Sequence, residues 1–171
     1  MSKFEKVSFE QFKKAFESFI GPEQTQIEEI YAGIELPKRA TKTSAGYDFF
    51  APFSFVLGPG ESITVPTGVR VQLPPDKFLM LAPRSGLGFR YRLQLDNTVG
   101  IIDSDYYEAS NEGHIIAKLT NDSRELRALY VNEHDAYMQG IISQFFVVDE
   151  EDVPDKKREG GFGSTDDANR T

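Results

Sequence analysis

Two carboxylates flank a serine in residues 97–109, which read NTVGIIDSDYYEA. Asp103 and Asp105 follow an apolar run directly, and two tyrosines come next. If these residues continue a strand, Asp103 and Asp105 lie on the same side and Ser104 points away. Two carboxylates that close together raise the pKa of one of them unless one is solvated or paired. The pattern predicts that one carboxylate has a structural role while the other contacts a water molecule. The structural alternative is a strand that runs into a polar turn.

A second candidate stretch, PRSGLG at residues 83–88, follows the apolar run FLMLA. The guanidinium of Arg84 is a forked donor suited to phosphate oxygens, while Ser85 and Gly86 offer a hydroxyl and a closely approachable backbone N–H. A plain β-turn with one arginine is the alternative explanation. The Walker A spacing is absent.

Glycines surround an aromatic residue in GGFGST, residues 160–165. Such a segment can wrap a phosphate with its backbone, donate from Ser164 and Thr165, and stack Phe162 on a flat ring. A flexible linker is the alternative, although a linker has no use for the phenylalanine. Near the other end, SAGYDFFAP (residues 44–52) places Asp48 at the start of an aromatic strand, where a structural turn carboxylate is the ordinary explanation.

Composition excludes several kinds of site. Cysteine is absent, the two histidines, His114 and His134, have no metal-ligand spacing around them, and no GxSxG motif occurs. The balance of 19 Lys and Arg against 27 Asp and Glu gives a net charge of -8, which repels polyanions and argues against duplex nucleic acid as a ligand. With no signal peptide and no membrane-length apolar segment, we expect a soluble cytoplasmic protein.

An amphipathic helix is predicted for residues 7–22, VSFEQFKKAFESFIGP. A capping box pairs Ser8 with Gln11, Val7 and Phe12 form a hydrophobic staple, and a Gly-Pro pair supplies the stop. One face carries four phenylalanines: Phe9, Phe12, Phe16 and Phe19. Because the polar face mixes Glu and Lys, we expect this stripe to pack on the protein's own body or on a neighbouring subunit rather than on a membrane.

From about residue 27 onward, short apolar runs alternate with Pro and Gly turns, which favours an all-β sandwich or barrel. The last stretch is polar and glycine-rich, with few core residues. We therefore predict three parts: a helical extension (1–25), a β domain (26–152) and a flexible C-terminal tail (153–171).

Taken in order, SAGYDFFAP, PRSGLG, NTVGIIDSDY, GIISQ and GGFGST resemble the five ordered motifs of the trimeric dUTPases, the dUTP nucleotidohydrolases. They span residues 44–166. The resemblance implies a jelly-roll (β-clip) subunit, here with an added N-terminal helix, and a homotrimer with active sites at subunit interfaces. It also implies Mg²⁺-assisted hydrolysis of dUTP to dUMP and pyrophosphate, which keeps uracil out of DNA and supplies dUMP for dTMP synthesis.

The resemblance also assigns roles by position. Asp103 would activate the water that attacks the α-phosphorus, and Tyr106 would pack on the deoxyribose and exclude a 2′-hydroxyl. The uracil pocket would be lined by Asn97, Gly100, Ile101 and Ile102. The phosphates would be held by Arg84, Ser85, Gly86 and Gln144.

The magnesium ion would be carried mainly by the triphosphate, with Asp48 reaching it through water. The tail would close over a neighbouring site, with Phe162 stacked on uracil and Gly163, Ser164 and Thr165 at the phosphates. Either Arg158 or Lys157 would add a phosphate contact, and we favour Arg158 for its forked guanidinium.

Departures from the family pattern are few: a longer, acidic loop at 107–114, no Gly-Asp-Arg before the Ile of GIISQ, and a tail motif one residue shorter. One alternative enzyme, a dCTP deaminase, shares the fold but lacks the GGFGST tail and needs a Glu base. A catalytically silent trimer that binds nucleotide or protein is the other alternative. Relatives from phages of Gram-positive bacteria bind a repressor protein, so a repressor partner is expected only if this chain is phage-borne.

Overall fold

The computed structural model describes residues 1–22 and 26–149. Within them the strands are β1 (Lys3–Lys6), β2 (Lys38–Arg39), β3 (Gly46–Phe50), β4 (Phe55–Leu57), β5 (Ser62–Pro66), β6 (Val69–Gln72), β7 (Lys77–Pro83), β8 (Leu93–Leu95), β9 (Gly100–Asp103), β10 (Ile116–Asn121), β11 (Leu129–Val131) and β12 (Ala136–Gln144). The helices are α1 (Phe9–Phe19), α2 (Ile27–Gly33) and α3 (Ser85–Tyr91), and a 3-10 helix covers Ser104–Glu108.

The strands form antiparallel sheets. The largest has the order β2-β3-β12-β7-β9, a second has the order β5-β10-β8, and the pairs β1-β6 and β11-β4 complete the set. The pairings between neighbouring strands of these sheets are antiparallel. This arrangement of short antiparallel strands confirms the predicted all-β, jelly-roll subunit.

The core lies between the sheets and follows the period of two expected for strands with one buried face. In β11, for example, Leu129 and Val131 are buried while Tyr130 between them is exposed. Phe49, Leu79 and other large apolar side chains from several strands join one hydrophobic cluster. The apolar run FLMLA, for example, lies within β7 and contributes Leu79 and Leu81 to this cluster.

The predicted N-terminal helix is confirmed as α1. Ser8 caps it by accepting a hydrogen bond from the Gln11 N–H at 3.2 Å. Phe12 and Phe16 are fully buried in the same cluster as the strands, so the phenylalanine stripe packs on the protein's own body. The Ser8 N–H bonds the carboxylate of Glu112 instead of the Gln11 side chain assigned by the capping box.

Besides the 3-10 helix, three further elements stand out from the prediction. The strand β1 precedes α1 and pairs with β6, from Lys3 opposite Gln72 to Lys6 opposite Val69. The short helix α2 lies where we expected only strands and turns, and α3 occupies the segment interpreted as a turn. Of the helices in the described part of the chain, none has the length and apolarity to span a membrane.

Candidate active site

A pocket beside β9, with a cavity volume of about 470 Å³, contains the residues predicted to bind a base and a sugar. We call it the β9 pocket. Five of its lining residues are those expected from the sequence: Asn97, Gly100, Ile101, Ile102 and Tyr106. The others are Leu81, Leu95, Asp96, Ile116, Ala117 and Lys118. The size and largely apolar lining are typical of a small-molecule site.

The floor of the β9 pocket depends on a close approach between β7 and β9. Gly100 lies opposite Leu81, and a Cβ added to Gly100 would meet the Leu81 Cβ at 3.0 Å. A tight turn enters β9, since Thr98 has a left-handed φ of 69° and its N–H donates to the Leu95 carbonyl at 2.8 Å. This turn places the Asn97 side chain at the pocket.

Tyr106 forms an aromatic wall of the pocket. Its side chain is almost fully buried, and its hydroxyl donates to the His114 carbonyl at 3.0 Å. The same hydroxyl accepts a hydrogen bond from the Asn111 side chain at 2.7 Å. The ring is therefore fixed in position and can pack on a sugar.

An ion pair at the pocket edge was missed by the sequence analysis. The Lys118 ammonium lies 2.8 Å from the Asp96 carboxylate, which also accepts a hydrogen bond from the Thr120 hydroxyl at 2.5 Å. The contact with Lys118, followed in size by the contact with Thr120, holds the pKa of Asp96 below its ordinary value. Only the pairing of β8 with β10 brings the residues together, so no local pattern could have revealed the pair.

Asp103 is the last residue of β9 and lies opposite Phe78 of β7. The 3-10 helix begins at the next residue, Ser104. Strand alternation therefore does not extend to Asp105, and the prediction that Asp103 and Asp105 share one side for that reason is wrong. Asp103 directly follows the pocket residue Ile102, which places its carboxylate at the end of the pocket strand.

A second polar group, which we call the Arg84 cluster, consists of Asp48, Arg84 and Gln139. The Arg84 Nε lies 3.2 Å from an Asp48 carboxylate oxygen. Gln139 lies opposite Asp48 in β3 and opposite Ala82 in β7, and its side chain donates to the Pro83 carbonyl at 3.3 Å. Ser85 begins α3 directly after Arg84, which is the N-cap residue of that helix.

Within the subunit, Gln144 does not belong to the Arg84 cluster. It lies opposite Lys77 at the other end of β7, and its side chain donates to Asp76 at 3.0 Å. Gln139 lies in the Arg84 cluster, where we expected Gln144. His134-Asp135 precedes Gln139, and His134 has a φ of 68°, a backbone conformation that suits the glycine of the Gly-Asp pattern that is missing before GIISQ.

Asp103 and Arg84 are separated within one subunit. Asp103 lies opposite Phe78, whereas Arg84 lies six residues after Phe78, directly beyond Pro83 at the end of β7. Six residues of extended strand span roughly 20 Å. The pocket residue Leu81 lies closer to Arg84 in the chain, so the separation concerns the predicted general base and the predicted phosphate-binding arginine.

The remaining predicted residues, Lys157, Arg158, Phe162, Gly163, Ser164 and Thr165, lie outside the described residues. Among the residues that are described, His, Asp and Glu form no group of three or more that could hold a metal ion. A metal at this site would thus depend on ligands other than a cage of protein side chains.

Comparison with known proteins agrees with this geometry. A protein-family model described as dUTPase matches residues 32–165. The deoxyuridine 5'-triphosphate nucleotidohydrolase of Lactococcus lactis is 38% identical over 136 residues, covering 78% of this chain and 89% of the relative. The enzyme of the same name from Neisseria meningitidis serogroup A is 42% identical over 135 residues, covering 76% and 87%.

Solved structures show the same fold. The crystal structure of dUTPase from Streptococcus mutans superposes with a TM-score of 0.63 at 28% identity, covering 86% of this chain and 98% of that one. A dUTPase from phage phi11 of S. aureus superposes with a TM-score of 0.62 at 20% identity, covering 90% and 96%. The fold and the pocket are those of a jelly-roll protein that binds a nucleotide. The chain belongs to the dUTPase family.

Proposed function

We propose that this chain hydrolyses dUTP to dUMP and pyrophosphate, which removes dUTP from the pool used for DNA synthesis and supplies dUMP. The observation that carries the proposal is the β9 pocket, because it unites five predicted nucleotide-binding residues and the strand that lines it, β9, ends at Asp103. Relatives that share the name deoxyuridine 5'-triphosphate nucleotidohydrolase support the same reaction. We place the reaction in the cytoplasm.

Base recognition falls to the turn and strand that enter the pocket. The Asn97 side-chain amide both donates and accepts, and backbone groups of Gly100, Ile101 and Ile102 add a fixed pattern of donors and acceptors. These groups suit the alternating carbonyl and N–H edge of uracil. The resemblance to trimeric dUTPases implies that thymine would be rejected because its methyl group does not fit.

Tyr106 selects the sugar. Because hydrogen bonds to His114 and from Asn111 fix its hydroxyl, the ring cannot swing away from a ligand without breaking both. A deoxyribose packs against the ring, and the 2′-hydroxyl of a ribose clashes with it. Exclusion of this kind gives specificity without any added attraction.

Asp103 is the general base. Its carboxylate takes a proton from a water molecule, the water oxygen attacks the α-phosphorus, and pyrophosphate leaves in line with the attack. Asp103 has its place at the end of the strand that carries the pocket, so a base bound in the pocket directs its α-phosphate toward this carboxylate.

The phosphates are bound by Arg84, Ser85 and Gly86, with Gln139 in the role that the sequence had suggested for Gln144. Because Asp103 and Arg84 lie far apart on β7, the Arg84 cluster serves the β9 pocket of a neighbouring copy. This separation supports a homotrimer with sites shared between subunits.

The donor set fits a magnesium ion that arrives with the triphosphate. Mg²⁺ keeps several waters and is usually bound through one or two carboxylates together with substrate phosphates, so a site without a cage of acids suits it. Asp48, which pairs with Arg84, would help to hold the ion through water rather than directly. When bound, the ion withdraws charge from the phosphate oxygens.

We propose that the tail, residues 153–171, would close over the site of a neighbouring subunit. Phe162 would then stack on uracil, Gly163, Ser164 and Thr165 would contact the phosphates, and Arg158 would add a charged contact. Closure excludes water and aligns the attack. The similarity to dUTPases of staphylococcal phages is a similarity of fold. A repressor protein is expected as a partner only if this chain comes from a phage.

Product analysis tests the proposal. Purified protein with magnesium is incubated with dUTP, dCTP, dTTP or UTP, and the Asp103→Asn variant serves as the control. We expect dUMP and pyrophosphate from dUTP alone, and no product from the variant. Deoxyuridine nucleotide formed from dCTP would instead identify a deaminase, and intact dUTP that stays bound would identify a catalytically silent protein.

A further inference from the structure

The loop that carries Tyr106 is attached to the N-terminal segment by two separate sets of contacts. This loop, residues 104–114, runs from the end of β9 to β10. It includes the longer, acidic stretch at 107–114 that departs from the family pattern. Its partners lie about a hundred residues earlier in the chain, so the contacts are long-range.

The first set joins Glu112 to the start of α1. One carboxylate oxygen accepts the Ser8 N–H at 2.7 Å, and the other accepts the Ser8 hydroxyl at 2.6 Å. Partial burial raises the pKa of Glu112, but the two bonds from Ser8 outweigh it and hold that pKa below its ordinary value. The carboxylate is therefore charged at neutral pH and lies where a helix N-terminus favours an anion.

The second set joins Tyr107 to β1 and β6. The Tyr107 hydroxyl donates to the Glu5 carboxylate at 2.5 Å and accepts from the Arg70 guanidinium at 2.6 Å. The Arg70 guanidinium also lies over the Tyr107 ring, 4.1 Å from its centroid. A strand at the N-terminus thus holds the residue next to Tyr106.

The loop transmits these contacts to Tyr106 because it is tightly folded. Asn111, the neighbour of Glu112, donates to the Tyr106 hydroxyl. Gly113 has a left-handed φ of 68°, and a Cβ there would meet the Tyr106 carbonyl oxygen at 2.8 Å. A shift of the loop at Glu112 or Tyr107 therefore moves the Tyr106 ring.

We propose that Glu112 and Tyr107 are positioning residues, through which the N-terminal segment holds the Tyr106 ring at the distance that admits a deoxyribose and excludes a ribose. This inference rests on the proposed function, since it takes the β9 pocket as the nucleotide site. It assigns residues 1–20 a part in substrate selection in addition to their place in the core.

The test compares sugar selectivity, defined as kcat/KM for dUTP divided by kcat/KM for UTP. Glu112→Gln and Tyr107→Phe keep the size of each side chain and remove its charge or its hydroxyl. Since misplacement by about 1 Å can reduce a rate about a hundredfold, we expect partial loosening to lower the selectivity about tenfold. A higher KM for dUTP with little change in kcat should accompany the loss.

Two matched controls separate positioning from stability. Glu108→Gln removes a negative charge from an exposed residue of the same loop. Glu61→Gln weakens a turn remote in the chain from this loop, where Glu61 accepts the Gly58 N–H at 2.6 Å. Both controls should keep the wild-type selectivity, although Glu61→Gln should lower the melting temperature.

A double variant tests whether the contact between Ser8 and Glu112 is the one that affects selectivity. Ser8→Ala should lower selectivity by itself but add little to Glu112→Gln, because both changes interrupt the same contact. Wild-type selectivity in Glu112→Gln and Tyr107→Phe, together with a lower melting temperature, would overturn the inference and leave the proposed function intact. Failure of the wild-type protein to hydrolyse dUTP would refute the proposed function and this inference with it.

Discussion

Asp103 and Arg84 lie toward opposite ends of β7, Asp103 opposite Phe78 and Arg84 directly after Pro83. A water-activating carboxylate and a phosphate-binding guanidinium have to act on one triphosphate. Since roughly 20 Å of extended strand separates them within the subunit, we infer that Asp103 of one copy acts together with Arg84 of another copy. The relationship leads directly to a prediction about mixed oligomers.

Two inactive variants should restore activity when they assemble together. Asp103→Asn lacks the base and Arg84→Gln lacks the phosphate contact, so each alone should be inactive. After the two are unfolded and refolded in equal amounts, about a quarter of the shared sites should hold both wild-type groups, given random assembly of symmetric oligomers. The measurement is dUTP hydrolysis by the mixture.

The matched control mixes Asp103→Asn with Asp103→Ala, which lack the same group and should stay inactive. If the first mixture were as inactive as this control while forming mixed oligomers, the two groups would not belong to a shared site.

Much of the fold was predictable because its signals are local. The Ser8 cap and the phenylalanine spacing identified α1, and the alternation in runs such as ALYV identified the strands. The strand β1 has no such signal, since KFEK is mostly charged and becomes a strand only by pairing with β6. Its pairing with β6 in the folded protein therefore outweighs the low strand propensity of its residues.

The site was predictable in part for the same reason. Gly100, Ile101 and Ile102 are adjacent in sequence and reach one pocket by a single strand. Gln139 and Gln144 could not be distinguished by a short pattern, because the choice depends on the register of β12 against β7. Contacts between distant segments, such as Glu112 with Ser8, follow only from the assembled fold.

Gly100→Ala should narrow the β9 pocket. The new methyl group would lie 3.0 Å from the Leu81 Cβ, so β7 and β9 must move apart. We expect a loss of about 1–3 kcal/mol in the free energy of unfolding, as for other overpacked sites, and a higher KM for dUTP.

Gly88→Ala is the matched control, since a Cβ at this position of α3 meets nothing within 4 Å. Its stability should be unchanged or higher by up to about 1 kcal/mol, because alanine favours a helix. Equal destabilisation by the two substitutions would argue against the close approach of β7 and β9 as the cause.

Stability should fall in mild acid because of His114. This side chain is fully buried, and its Nε2 accepts the Gly68 N–H at 2.8 Å. Burial, opposed in part by Glu112, lowers the pKa of His114 from 6.5 to about 4. Between these values the unfolded chain binds a proton that the folded chain does not. Stability should therefore decrease as pH falls, by roughly 3 kcal/mol across the window.

Urea unfolding at pH 7.5, 6, 5 and 4.5 measures this decrease. Because carboxylates add their own acid sensitivity, His114→Gln is compared with His134→Gln, which alters an exposed histidine. The His114 variant should show a shallower dependence on pH, whereas the His134 variant should follow the wild type. Identical slopes in all three proteins would contradict the assignment.

Removal of residues 153–171 should affect catalysis more than folding. If the tail closes over a neighbouring site, its loss should lower kcat/KM about a hundredfold, since alignment of the reacting groups is lost. The melting temperature should change little. A shorter deletion of residues 167–171, which keeps GGFGST, should retain near wild-type kinetics; equal loss in both deletions would count against a role for Phe162.

In the proposed reaction, water activated by Asp103 attacks the α-phosphorus of dUTP. We would first measure a single turnover in water enriched in oxygen-18, followed by mass spectrometry of both products. The label should enter dUMP and not pyrophosphate, and Asp103→Asn should release neither product. Label in pyrophosphate would place the attack at the β-phosphorus and refute the proposed role of Asp103.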